Sequence, residues 1–170
     1  MSNFANQVVE HLESIGVKRI YGLVGDSLNP LSDAVRQSDI EWVHVRNEEA
    51  AAFAAGADSL ASDELAVCGA SCGPGNTHFV QGLYESHRDG AKVLAIASHI
   101  PTIEIGSSFF QETHPDRLFN ECSVYSELIS TPAQSPRVVH AAISHALGDG
   151  GVAVVTLPGD LASLDAEGQA

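Results

Sequence analysis

Short apolar runs, bounded by turn residues and separated by stretches of helical character, constrain this chain more than any other feature of its sequence. The runs lie at residues 20–24, 65–70, 92–98 and 152–157, and further strands are expected at 41–45 and near 124–128. A short continuous apolar run flanked by Gly, Asp or Ser reads as a strand buried on both faces. Between the runs lie helical signals. Phe4, Val8, Val9, Leu12 and Ile15 form one stripe over residues 3–15, and Gly16 stands where a left-handed cap would end that helix. Ser27 can cap a second helix reaching about Gln37, and Asn47 can cap an Ala-rich helix over 48–60. Further helices are expected over 77–87 and from Ser135 and Pro136 onward. Strands that alternate with helices pair in parallel through right-handed crossovers, which puts helices on both faces of one open sheet. The expected fold is therefore α/β, a three-layer α/β/α arrangement around a central, mostly parallel sheet of about six strands. At 170 residues this is one domain. Residues 99–120 are the least regular stretch, and the acidic, small-residue tail at 158–170 is expected to leave the fold.

Charge and composition exclude several functions. Eight Lys plus Arg against 22 Asp plus Glu give a net charge of −14, which repels a phosphate backbone or an anionic membrane surface. Nucleic acid is not an expected partner. The longest apolar runs fall far short of the ~20 residues that span a bilayer. Residues 1–10 lack the basic and apolar regions of a secretory signal, so a cytoplasmic location is expected, at most peripheral to the inner face of the membrane in a longer enzyme. Cys68, Cys72 and Cys122 are an odd number and give no disulfide framework. Buried structural thiols are the favoured reading, and no zinc-like ligand set completes a metal site.

In an open parallel sheet, ligands bind at the carboxyl ends of the strands, so the loops following the strands carry the candidates. These are residues 24–27, 46–49, 71–76 and 99–111. They bring together the acid pair Glu48 and Glu49, the turn Gly73-Pro74-Gly75, and aromatic and amide side chains suited to a small planar ligand. Glu48 and Glu49 open a helix, where carboxylates are stabilised by the dipole in any case. Adjacent helical residues diverge by ~100 degrees, so only one of the two can point into a crevice. Neither Gly22-Leu23-Val24-Gly25 nor the Gly-Pro-Gly turn has G-x-G-x-x-G spacing, and no Walker sequence is present. Ser71 lacks a nucleophile-elbow setting, and no His partner for Cys72 is evident. Nothing in the spacing of the eight histidines singles one out. His114 and Gln111 share the irregular loop with Phe110 and are the polar residues there most suited to face a ligand. Gly148-Asp149-Gly150 reads as a simple turn.

Four stretches in order carry a resemblance: Tyr21-Gly22-Leu23-Val24-Gly25-Asp26-Ser27, Arg46-Asn47-Glu48-Glu49-Ala50-Ala51-Ala52, Ser71-Cys72-Gly73-Pro74-Gly75-Asn76, and Phe109-Phe110-Gln111-Glu112-Thr113-His114-Pro115. Together they resemble the pyrimidine-binding domain of thiamine-diphosphate enzymes, in particular the pyruvate oxidase and pyruvate:quinone oxidoreductase group. The resemblance implies that Glu48 is the catalytic carboxyl, hydrogen-bonded to a ring nitrogen of the cofactor's aminopyrimidine, with Glu49 turned outward. Asn47 stands where relatives commonly carry His. Val24, Gly25, Ser71, Gly73 and Asn76 would line the pyrimidine, and Phe110 and Gln111 would approach the substrate. The activity implied is oxidative decarboxylation of pyruvate to acetate and carbon dioxide, with electrons passed through FAD to a quinone. The rival readings are an acetolactate synthase or other 2-oxo acid decarboxylase, and a non-catalytic interaction module with the same fold. Relatives hold the diphosphate through magnesium with a G-D-G segment and a downstream Asn, yet no Asn follows Gly150 here. This chain is therefore expected to be one domain of a longer enzyme. Thiamine diphosphate with Mg2+, and FAD, would belong to the whole, none bound by this chain alone. The expected partners are its own FAD and diphosphate domains, with a homodimer for the isolated domain and a homotetramer for the full enzyme.

Overall fold

Three neighbouring strands within the sheet are buried along their whole length, which only a sheet covered on both faces allows. In the computed structural model, which describes residues 3–166, these are β3 (Ala66–Ala70), β4 (Val93–His99) and β6 (Val152–Pro158). The remaining strands are β1 (Arg19–Gly22), β2 (Glu41–His44) and β5 (Tyr125–Leu128). All six pair in parallel, in the order β2-β1-β3-β4-β6-β5. The expected three-layer α/β arrangement is what the chain adopts.

The two faces of the sheet differ in side-chain size, and the difference decides how the helices sit. One face presents Ile20, Val67, Leu94, Ile96, Val155 and Leu157. It is covered by α1 (Phe4–Ser14), α2 (Asn29–Arg36) and α6 (Ser135–His145), through residues such as Phe4, Leu12, Leu31, Val139 and Ile143, while the short α5 (Pro115–Leu118) falls between β4 and β5 in the chain. The other presents mainly Ala66, Cys68, Ala70, Ala95 and Ala97, and α3 (Glu48–Ser62) and α4 (Pro74–Arg88) pack there with Ala51, Ala55, Phe79 and Leu83. Small residues continue between the two helices. A Cβ built on Gly82 would stand 2.6 Å from the Cβ of Ala52 and 2.9 Å from the Glu49 carbonyl oxygen, and one on Gly56 would overlap the Ser86 hydroxyl. The helices therefore run side by side at a spacing that only glycine permits.

Two local expectations are met: Gly16 takes φ +91° just past the end of α1, and the Asn47 side chain accepts the Glu49 N–H at 2.8 Å. The start of α1 is closed by a reciprocal cap between Asn3 and Asn6 that sequence reading did not foresee. Other expectations need correction. β1 ends at Gly22 and not at Val24, because the chain turns there into a 3-10 turn over Asp26–Leu28 before α2 begins at Asn29. α4 starts at Pro74, three residues earlier than the expected Thr77, since a proline needs no N–H at a helix start. Gly148 to Gly150 do not form a simple turn; they prolong α6 as a π-helical turn over Ala146–Gly150, with His145 Nδ1 2.7 Å from Asp149 Oδ2. The tail does not leave the fold directly after β6. Gly159–Ala162 form α7, Leu161 and Ala162 are buried, and the Leu164 carbonyl accepts the Phe4 N–H at 2.9 Å. The last part of that tail, residues 167–170, lies outside the described residues.

Gly82→Val should cost about 1–3 kcal/mol by overpacking against a helix backbone that cannot retreat. Gly148→Ala, where an added Cβ meets nothing within 4 Å, should fall within about 0.5 kcal/mol of the parent. Urea unfolding checks both, and equal midpoints for the two variants would contradict the α3–α4 account.

Candidate active site at the strand tips

The first residue of α3 is a glutamate that the packing removes from water. Glu48 is 6% exposed, whereas Glu49 is half-buried, so the two acids diverge as helical geometry requires. The Glu48 Oε2 lies 3.1 Å from His78 Nδ1, one turn into α4. Its Oε1 lies over Gly75, where a Cβ would approach to 3.0 Å. The starts of both helices thus converge on one carboxylate, and the partial positive charge at a helix N-terminus favours an anion there. His78 keeps about half its side chain in solvent, so it links the buried acid to the surface.

A second set of contacts ties the strand tips together. Ser27 Oγ lies 3.0 Å from Ser71 Oγ and 2.5 Å from Ser98 Oγ, and it accepts the Cys72 N–H at 3.0 Å. Asn76, fully buried in the first turn of α4, donates to the Ser98 carbonyl at 2.8 Å. Asn76 therefore fastens the tip of β4 to α4 and presents no surface to the crevice. Gly25 is pressed against Ser71, whose Oγ would lie 2.5 Å from an added Cβ. Gly73 has φ +69° and meets the Gln111 backbone, with a Cβ there 2.8 Å from the Gln111 carbonyl oxygen. A side chain at 73 would be both strained and blocked.

Beside the 71–73 loop lies a cavity of about 270 Å3, lined by residues that include Ser27, Cys72, His99, Phe109, Phe110 and Gln111 but not Glu48. The structure thus brings Phe110 and Gln111 together with the Ser27 cluster. Phe110 is 83% exposed, and Val24, 49% exposed, stands outside this cavity. His114 is exposed and is likewise not part of the lining. The loop that carries these residues is braced by Glu112, whose carboxylate accepts the N–H groups of Gly106 and Ser108, bonds that hold its pKa below the usual range. His99, buried at the end of β4, has no hydrogen-bond partner at Nδ1 among the described residues. Burial lowers its pKa, opposed by Glu112 and Asp116. The three cysteines are buried and unpaired, and burial pushes the Cys122 thiol up to about 11.

Sequence reading gave no part in this region to His78 or Ser98; Ser27 and His99 lay within the candidate loops 24–27 and 99–111, but Ser27 was read as a helix cap, whereas its hydroxyl bonds Ser71, Ser98 and the Cys72 N–H instead. The available signal for His78 was helical phase: with α4 beginning at Pro74, His78 falls on the same face as Gly75, toward α3.

His99 yields a pH prediction whose sign follows from its neutral folded form. Below about pH 6.5 the unfolded chain binds a proton that the native His99 resists, so this contribution to stability is full above that pH and declines as pH falls toward the folded pKa. NMR titration should place His99 below the ordinary histidine value, and His99→Gln should flatten the dependence of unfolding free energy on pH just below about 6.5. A His99 midpoint above 6.5 would contradict the assignment.

Residues 2–119 match the family described as thiamine pyrophosphate enzyme, N-terminal TPP binding domain. An uncharacterized 42.6 kDa protein from the isoamylase 3' region of Pseudomonas amyloderamosa is 58% identical over 159 residues, covering 93% of this chain and 40% of the relative. Pyruvate oxidase of Lactiplantibacillus plantarum is 36% identical over 156 residues, 91% of this chain and 26% of the relative. The acetolactate synthase isozyme 2 large subunit of Escherichia coli is 33% identical over 168 residues, 97% of this chain and 31% of the relative. This chain spans between about a quarter and two fifths of the length of these relatives. With the family match running over well more than half of the chain, the chain belongs to the N-terminal TPP binding domains of thiamine pyrophosphate enzymes.

Proposed function

We propose that this domain holds the aminopyrimidine of thiamine diphosphate in an enzyme that decarboxylates pyruvate oxidatively, releasing acetate and carbon dioxide and passing electrons through FAD to a quinone. The observation that carries the proposal is Glu48, the one carboxylate among the described residues that is buried. Removing a carboxylate from water is costly unless a partner or a function compensates. The residues around it fit a flat heterocycle with ring nitrogens. Gly75, having no side chain, lets the start of α4 approach the carboxylate closely, Gly25 packs against Ser71 beside it, and Val24 offers an exposed apolar side chain.

Bound there, the cofactor would supply a thiazolium that accepts the electrons released when the carboxylate of pyruvate departs. Glu48 holds or gives a proton at one carboxyl oxygen, and its second oxygen is oriented by His78 Nδ1. His78, about half exposed, links that second oxygen to the surface. Phe110 and Gln111 stand at the entrance of the adjoining cavity, where the amide can hydrogen-bond a substrate oxygen and the ring can exclude water. The diphosphate with its Mg2+, and the FAD, are assigned by this reading to the rest of a longer protein. The likeness to pyruvate oxidase and the loop Phe109 to Pro115 support the oxidase reading. The likeness to an acetolactate synthase supports a second reading, in which pyruvate is consumed but a second 2-oxo acid accepts the fragment.

In the intact protein that carries this domain, Glu48→Gln should slow exchange of the C2 proton of bound thiamine diphosphate by at least about 100-fold while the circular dichroism spectrum is kept. Unchanged exchange would defeat the role of Glu48. Product analysis with pyruvate separates acetate, for the oxidase, from acetolactate, for the synthase.

A further inference from the structure

The sheet face away from Glu48 carries a groove that the cofactor reading leaves unused. It opens between α1 and α6 with a volume of about 240 Å3. Val8 and Val139, both buried, form its floor together with Pro136. Its rim carries His11, Arg137 and His140, and the two imidazoles meet edge to face with centroids 6.3 Å apart. No Asp or Glu lines the groove, although the chain has 22 of them and a net charge of −14. Arg137 is exposed and joins no salt bridge among the described residues.

An apolar floor with convergent polar groups at one rim is the usual form of a small-molecule site. A hydrocarbon tail suits the valine and proline floor. On a body this acidic, the local concentration of an arginine and two histidines selects an anionic head, and a guanidinium and imidazole N–H groups are the donors that match a carboxylate. Burial, together with the neighbouring His140, lowers the pKa of His11, and a carboxylate bound beside it would oppose both effects. We propose that the α1–α6 groove binds a small carboxylate with an apolar tail, at a site separate from the strand-tip crevice.

The test uses the full chain, with octanoate as the probe and octan-1-ol, octylamine and zinc ion as comparators, read by calorimetry and by the imidazole resonances. Octanoate should bind saturably at one site, shift the His11 and His140 signals, and bind at least about tenfold more tightly than octanol. Arg137→Gln and His140→Gln, both surface changes, should each weaken octanoate severalfold and leave octanol binding as it was. Glu48→Gln should bind octanoate like the parent, which keeps this result independent of the cofactor reading. Equal binding of octanol and octylamine would show a nonspecific apolar face and overturn the proposal. So would zinc shifting the two imidazoles where octanoate does not, or octanoate failing to saturate.

Discussion

The approach of α3 to α4 is the contact on which the candidate site depends. Because the sheet beneath them is lined largely by alanines, both helices lie low. Because Gly56 and Gly82 lack side chains, they also lie close to one another. That spacing sets the first turn of α4 against the first residue of α3 and encloses Glu48 between Gly75 and His78. A wider helix pair would let water reach the acid, and a hydrated carboxylate at a helix start would be an ordinary cap interaction with nothing unusual in its environment. The chemistry proposed for this chain thus follows from side-chain volume several turns away from the acid.

A hydroxyl and amide network ties the strand tips together. Ser27, Ser71 and Ser98 come from the ends of three neighbouring strands, and Asn76 locks the last of them to α4. Glu48 sits at the starts of α3 and α4, and the cavity with Phe110 and Gln111 is lined by Ser27 of the same network. Gly73 lets the connecting loop pass directly against the Gln111 backbone, so the long irregular segment is seated on the crevice loop. Braced by Glu112, that segment is an ordered wall of the site, held by its own backbone hydrogen bonds.

How much of this was legible in advance depended on the range of the interaction. Asn47 as a cap and Gly16 as a helix stop act within a few residues, and both are found as read. The buried strands were visible as continuous apolar runs because burial on both faces removes the polar half of the usual alternation. The start of α4 was misplaced because Pro74 was read only as part of a turn, although a proline also opens a helix well. That error in phase concealed His78. The tail was misread because its acidic composition suggested solvent, while two apolar residues, Leu161 and Ala162, were enough to dock it. Asn76 was read as the end of a loop lining the cofactor, whereas the helix start at Pro74 places it in the first turn of α4, fully buried and bonded to the tip of β4.

What the sequence by itself determined was the alternation of strand and helix, hence a parallel sheet with a crevice at its carboxyl end, and the presence of an acid pair at that crevice. These follow from local periodicity and from chain connectivity, which any stretch of sequence carries within itself. Only the tertiary structure decided which partners meet there: Glu48 with His78, Ser27 with Ser98, Gly73 with Gln111, and His11 with His140 on the opposite face. Those residues are separated by some 30 to 130 positions and are joined by the packing of whole elements, a sum of many weak contacts that no local pattern encodes.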